Sequence, residues 1–213
     1  MNIIEQLSSK TGDKTETSNI KAAIRCLENP ELLSVISETL AGKDDKLVSD
    51  CAEVMTKVAE EKPALVVPYV SNLVKLLGHK HAKARWEAVH ALSCVAAYAK
   101  EEIGQILPLI REVIHTDKST IARDYAVDIA ANYTKCGKEE AQLALPILKE
   151  ALYLWEGKHA GHALEGLVNT AELLPDHRDE LLQIGVDFGS SNRGVVAKAA
   201  KRLLKTVGAG RVI

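Results

Sequence analysis

The stretch KEEIGQILPLIREVIHTDKSTIARDYAVDIAANYTKCGKEEAQLALP, residues 100–146, contains its own echo. Glu101-Glu102 leads to Pro108, and 38 residues after that proline Glu139-Glu140 has led to Pro146. Upstream, Glu60-Glu61 leads to Pro68, 40 residues before Pro108. Each acidic pair is expected where a helix begins, with the proline in its second turn. A shift of 38 residues also superimposes Arg85 on Arg123 and Ala88-Val89 on Ala126-Val127. Self-similarity at this period is built by stacked helical units, because one such unit cannot bury its apolar face alone.

The clearest unit begins near Pro63. Leu65, Val66, Tyr69, Val70, Leu73, Leu76 and Leu77 recur at helical spacing, and Gly78-His79-Lys80-His81 makes a turn. A second helix over about 82–99 carries Ala84, Ala88, Ala91, Leu92, Val95 and Ala96 on one face, residues small enough for close helix approach. Weaker copies cover 31–60, 141–174 and 177–207. The count is about five pairs in a single repeat domain over 1–213, with a polar loop at about 8–19 and a short tail at 208–213. Residues 2–9 suggest a short first helix, and Ile20, Ala23, Ile24 and Leu27 share one face of the next.

The units resemble the HEAT repeat, a hairpin with proline in its first helix, aspartate at the turn and arginine early in the second helix. Asp117 and Arg123 match that pattern, with Ala122 before the arginine. In the preceding unit Arg85 is kept and His79 stands at the aspartate position. The resemblance covers residues 30–207 and implies an all-α fold, a right-handed α-solenoid. First helices would line its convex side and second helices its concave side. Such a fold supplies an extended groove, and function must come from what decorates it.

Composition narrows the classes. Of 213 residues, 46% are hydrophobic and only 4% aromatic, which suits close packing of Ala, Leu, Val and Ile. The net charge of −2 argues against nucleic-acid or membrane binding driven by bulk charge. No apolar run approaches the roughly 20 residues of a bilayer span, and the N-terminus lacks a secretory stretch, so a cytoplasmic protein is expected. Cys26, Cys51, Cys94 and Cys136 lie far apart without metal-site spacing and read as small apolar packing groups.

Arg85-Trp86 and Arg123-Asp124-Tyr125 put an arginine and an aromatic at one register of neighbouring second helices. Arg, Trp and Tyr are the residues that most often anchor partners. Lys83, Arg85, Trp86, Arg123 and Tyr125 are therefore the expected contacts for another protein, with the competing reading that they serve the stack itself. Lys198, Lys201, Arg202 and Lys205 form a basic stripe on the last helix, opposite Val196, Ala199, Ala200, Leu203 and Val207. A polar outer face caps a terminal repeat, and an acidic or phosphate-bearing partner is the second reading. The turn histidines His79, His81, His115, His159 and His162 come without a completing ligand set, so no metal and no cofactor are expected.

Catalytic signatures are missing: no glycine-rich phosphate loop, no Gly-x-Ser-x-Gly turn, no His-Glu-x-x-His helix. The reading is a non-catalytic scaffold that binds another protein along its concave face. The alternative is a nucleic-acid binder, either through the basic last helix or as a DNA-glycosylase-like HEAT protein. For the latter, Trp86, Arg123, Asp124 and Asp128 are the candidates.

Overall fold

The computed structural model describes residues 2–209. Short helix α1 (Ser8–Thr11) and helix α2 (Thr17–Glu28) precede five hairpins. These are α3 (Leu32–Thr39) with α4 (Asp45–Glu61), α5 (Val70–Lys75) with α6 (Ala82–Val95), and α7 (Lys100–Thr116) with α8 (Thr120–Tyr133). Then α9 (Lys138–Ala151), a short turn α10 (Leu154–Gly157) and α11 (Ala160–Leu173) form the fourth, and α12 (Arg178–Gly189) with α13 (Gly194–Ala209) the fifth. The chain is an all-α solenoid: α2, α4, α6, α8, α11 and α13 stack in one row, and the first helices of the hairpins flank it.

Residue size explains the stacking. Second helices bury alanine stripes, Ala84, Ala88 and Ala91 on α6 and Ala122, Ala126 and Ala130 on α8. The neighbouring first helices supply the bulk, with Ile103, Ile110 and Ile114 on α7 and Leu148 on α9 buried. At Gly166 a Cβ would come within 2.8 Å of Ala131 and Leu148, so α11 seats against its neighbours only because that position has no side chain. Asp44 caps α4 by accepting from the backbone N–H groups of Lys46 and Leu47, and Ser119 caps α8 by accepting from Ala122.

Several local expectations shift. Glu101-Glu102 and Glu139-Glu140 do sit in first helical turns, where their charge meets the positive helix end. Glu60-Glu61 instead closes α4. Pro108 and Pro146 lie well inside α7 and α9, a turn later than expected, and Pro68 lies in a 3-10 turn before α5. The polar stretch at 8–19 is helical at both ends, with α1 and the start of α2. On α2 the buried face is Asn19, Ala22, Ala23 and Cys26, leaving Ile20 and Ile24 41% and 49% exposed. The helix is turned so that Asn19 reaches Asp50 and Glu53. Of the expected tail, Gly208 and Ala209 belong to α13, and 210–213 fall outside the described residues.

Ion pairs between successive units follow an order set by the helix row, while Arg85 on α6 reaches forward to Asp117 at the turn of the next unit. Along the second-helix row the carboxylate sits on the earlier helix and the cation on the later, as in Glu53 with Lys83, Asp128 with His162 and Glu165 with Arg202. Glu60 beside His90 and Asp124 beside His159 repeat the order with an imidazole hydrogen-bond partner in the cation's place. Between first helices it reverses: Lys100 pairs with Glu140, Arg111 with Glu150 and Lys149 with Glu180.

Candidate functional site

The second-helix row is where polar chemistry collects. Asn19 of α2 donates one amide to both Asp50 Oδ1 at 3.0 Å and Glu53 Oε2 at 2.8 Å on α4. Lys83 of α6 donates to the same Glu53 oxygen at 2.8 Å. Burial pulls the Lys83 ammonium down, and the hydrogen bond and charge of Glu53 more than offset it, holding its pKa above the usual value. Glu53 is 1% exposed and its Oε1 has no hydrogen-bond partner. A cleft of about 400 Å³ opens beside this cluster, between residues 8–19 and the start of α4 and α6.

Glu87, one turn after Lys83 on α6, is 4% exposed. Burial pushes its carboxyl up to about 8, against Lys83, with the nearby Glu53 charge adding to the rise. Farther along the same helix His90 stacks flat on Tyr125 of α8, ring centroids 3.7 Å apart. Burial pulls the His90 pKa down despite Glu60 at 3.4 Å. The next joint is tighter. His159 is fully buried, and its Nε2 accepts from Arg123 Nε at 3.1 Å, so the ring proton sits on Nδ1 and donates to Asp124 at 2.6 Å. His162 lies 2.7 Å from Asp128, whose hydrogen bond holds the imidazole above its ordinary pKa.

The five expected contact residues divide. Arg85 makes a two-point pair with Asp117 at 2.9 and 3.3 Å and donates to the carbonyls of His79 and Lys80. Arg123 is 4% exposed; it donates to the Asp117 carbonyl, His159 and Thr120, and its guanidinium lies 3.9 Å from the Trp155 ring centre. Both arginines are spent on joints within the chain. Lys83, Trp86 and Tyr125 are half-buried along the row and keep a face toward solvent. Asp124 and Asp128, the carboxylates a glycosylase reading would use, are both engaged by histidines.

Sequence reasoning did not single out Asn19, Asp50, Glu53, Glu87 and His90. The available signal was spacing: Lys83, Glu87 and His90 recur on the edge of the alanine stripe of α6, where an exposed helix face would carry no buried carboxylate. The turn histidines sit on neighbours, His79 near Asp45, His81 on Ser49 and His115 on Glu150. No group of three His, Cys, Asp or Glu side chains among the described residues is placed to hold a metal ion. No described helix is long and apolar enough to cross a membrane. Lys198, Lys201 and Lys205 are exposed on α13, while Arg202 turns back to Glu165.

No family model matches the chain, and no curated protein does. Solved structures match along nearly its whole length. A designed armadillo repeat protein aligns over 96% of this chain and 98% of its own, with a TM-score of 0.72 and 20% identity. Another designed armadillo repeat protein, solved in complex with the peptide (KR)4, covers the same shares with a TM-score of 0.73 and 20% identity. An engineered protein aligns over 99% of this chain and 98% of its own, with a TM-score of 0.68 and 19% identity. At such identities the likeness speaks to the helical-repeat fold.

Proposed function

We propose that this protein is a non-catalytic scaffold that binds an extended, basic segment of another protein along the second-helix row. In a HEAT-like stack that row forms the concave wall. The observation that carries the reading is the character of the row: carboxylates Glu60, Asp124 and Asp128 remain partly accessible around the His90–Tyr125 stack, Glu165 lies farther along the row, and Trp86 precedes His90 by one turn on α6. Cationic side chains are attracted both by such carboxylates and by aromatic faces. Trp86 and Tyr125 would supply the anchoring area, and Lys83 a charge at the rim that repels misplaced cations. A solved repeat protein of similar fold holds the basic peptide (KR)4, which supports the same class of ligand. The four free cysteines fit the cytoplasmic setting read from the sequence.

The test is fluorescence anisotropy with labelled (KR)4 and a labelled (KE)4 control, on the native protein, Trp86→Ala/Tyr125→Ala and Asp128→Asn. Saturable binding of (KR)4 alone, weakened at least about tenfold by the aromatic double variant, is expected. Equal binding of both peptides, or an unaffected double variant, would refute the groove.

A further inference from the structure

The charge pattern of the second-helix row reverses at its last described helix, although the pair Glu165–Arg202 still follows the order. Shifts of 37 and then 36 residues superimpose the buried Ala126, Ala163 and Ala199, and the same shifts carry Asp128 to Glu165 to Lys201. Asp128 and Glu165 each receive a cation from the following helix. Lys201 reverses the charge at that position. Lys198 and Lys205 flank it on the same stripe, the described α13 sequence GVVAKAAKRLLKTVGA contains no acid, and none of the three lysines pairs among the described residues. They border a groove of about 490 Å³ on the outer face of α13, floored by Gly194 and Ala197. On the adjoining α12, Val186 is 56% exposed at the register where α9 carries Lys149.

A polar cap would be served by any hydrophilic side chains. This end instead combines small residues at helical spacing, which let a helix approach closely, with a cationic stripe where the stack elsewhere offers carboxylate. We infer that the C-terminal end face docks an acidic amphipathic helix of another protein, packed as a further second helix would be, its carboxylates on Lys198, Lys201 and Lys205. The site is separate from the proposed peptide groove and does not depend on it. A second copy of this chain is a poor occupant, because the outer face of its α2 exposes Lys21 beside Ile20 and Ile24 and would set lysine against lysine. A nucleic-acid duplex gains little from a single stripe whose neighbouring helices carry Glu165 and Asp128, since its affinity must come from neutralising several phosphates.

The experiment uses a dye-labelled, stapled amphipathic helix of about five turns with Glu spaced to face the three lysines. Controls are its Glu-to-Lys counterpart, an unstapled form broken by proline, and a short DNA duplex. Variants are Lys198→Glu/Lys201→Glu/Lys205→Glu and, with every lysine kept, Ala197→Trp, each checked by circular dichroism and melting. Saturable binding of the acidic helix is expected, weakened at least about tenfold by either variant and absent for the basic helix. The groove variant is the decisive one. If the broken peptide or the duplex binds as well as the helix, or if Ala197→Trp binds it unchanged, the lysines are a diffuse basic surface and the inference fails. No binding at low salt overturns it equally.

Discussion

Glu87 should make this protein lose stability as the solution turns alkaline. Its carboxyl is 4% exposed, on a helix whose neighbouring positions Ala84 and Ala88 are fully buried. Burial lifts its pKa from 4.5 to about 8, so the native chain keeps a proton that the unfolded chain has released over that window. The native state then binds more protons than the unfolded state, and unfolding free energy falls with rising pH at up to about 1.4 kcal/mol per unit. The shift between 4.5 and about 8 sets a ceiling of roughly 5 kcal/mol for the whole loss. That stability is fully present below pH 4.5 and gone above pH 8 or so. Glu87→Gln keeps the shape and removes the titration. Urea unfolding at pH 5 to 9, followed by circular dichroism, should show the variant gaining on the native protein by several kcal/mol from the acid to the alkaline end. Other groups titrate in both proteins and cancel in that difference. Parallel curves for the two would mean that Glu87 ionises normally and that the buried cluster is misread.

Other perturbations probe the joints. Arg123→Ala strands the buried His159 acceptor and uncovers Trp155, and should cost about 2–4 kcal/mol; Arg85→Ala, which leaves the Asp117 carboxylate without its partner, should cost about 2–4 kcal/mol as well, both read from chemical denaturation. Asn19→Ala removes the donor shared by Asp50 and Glu53 and should cost about 2 kcal/mol, with protease cleavage appearing first within residues 2–16. In an NMR titration His162 should lose its proton above the ordinary histidine pKa and His90 below it. The His162 pair therefore stabilises the fold below about pH 6.5 and that contribution fades as pH rises through the raised value.

Much of the architecture was legible because it is written in residue size and spacing. The 38-residue shift between Arg85 and Arg123 marks two consecutive joints in the sequence itself, and the Ala stripes mark the second helices. What the one-dimensional pattern could not resolve was rotation about a helix axis. Ile20, Ala23, Ile24 and Leu27 make a plausible apolar face of α2, yet the helix turns Asn19 inward, because two buried carboxylates on α4 need a donor more than two isoleucines need burial. Arg85 and Arg123 illustrate the same limit on function. An arginine next to an aromatic describes a binding patch and an inter-unit clamp equally well, and only the positions of Asp117, His159 and Trp155 separate them.

The directional ion pairs connect these levels. A hydrophobic stack of similar hairpins tolerates sliding by a turn, since alanine stripes look alike at successive registers. Carboxylate-to-cation pairing in one sense along the second helices, and in the opposite sense along the first, penalises such slips by setting like charges together or leaving a buried carboxylate alone. Glu53 shows the cost of this device. It is held at one oxygen by Asn19 and Lys83 while the other has no partner, and Glu87 keeps its proton so that a second buried charge is not added beside it. If register is what the pairs provide, Glu53→Gln/Lys83→Met should cost little in unfolding free energy, because the buried pair is removed whole. It should instead broaden the amide NMR resonances of α4 and α6 through exchange between registers. Sharp, native-like spectra from the double variant would show that packing alone sets the register.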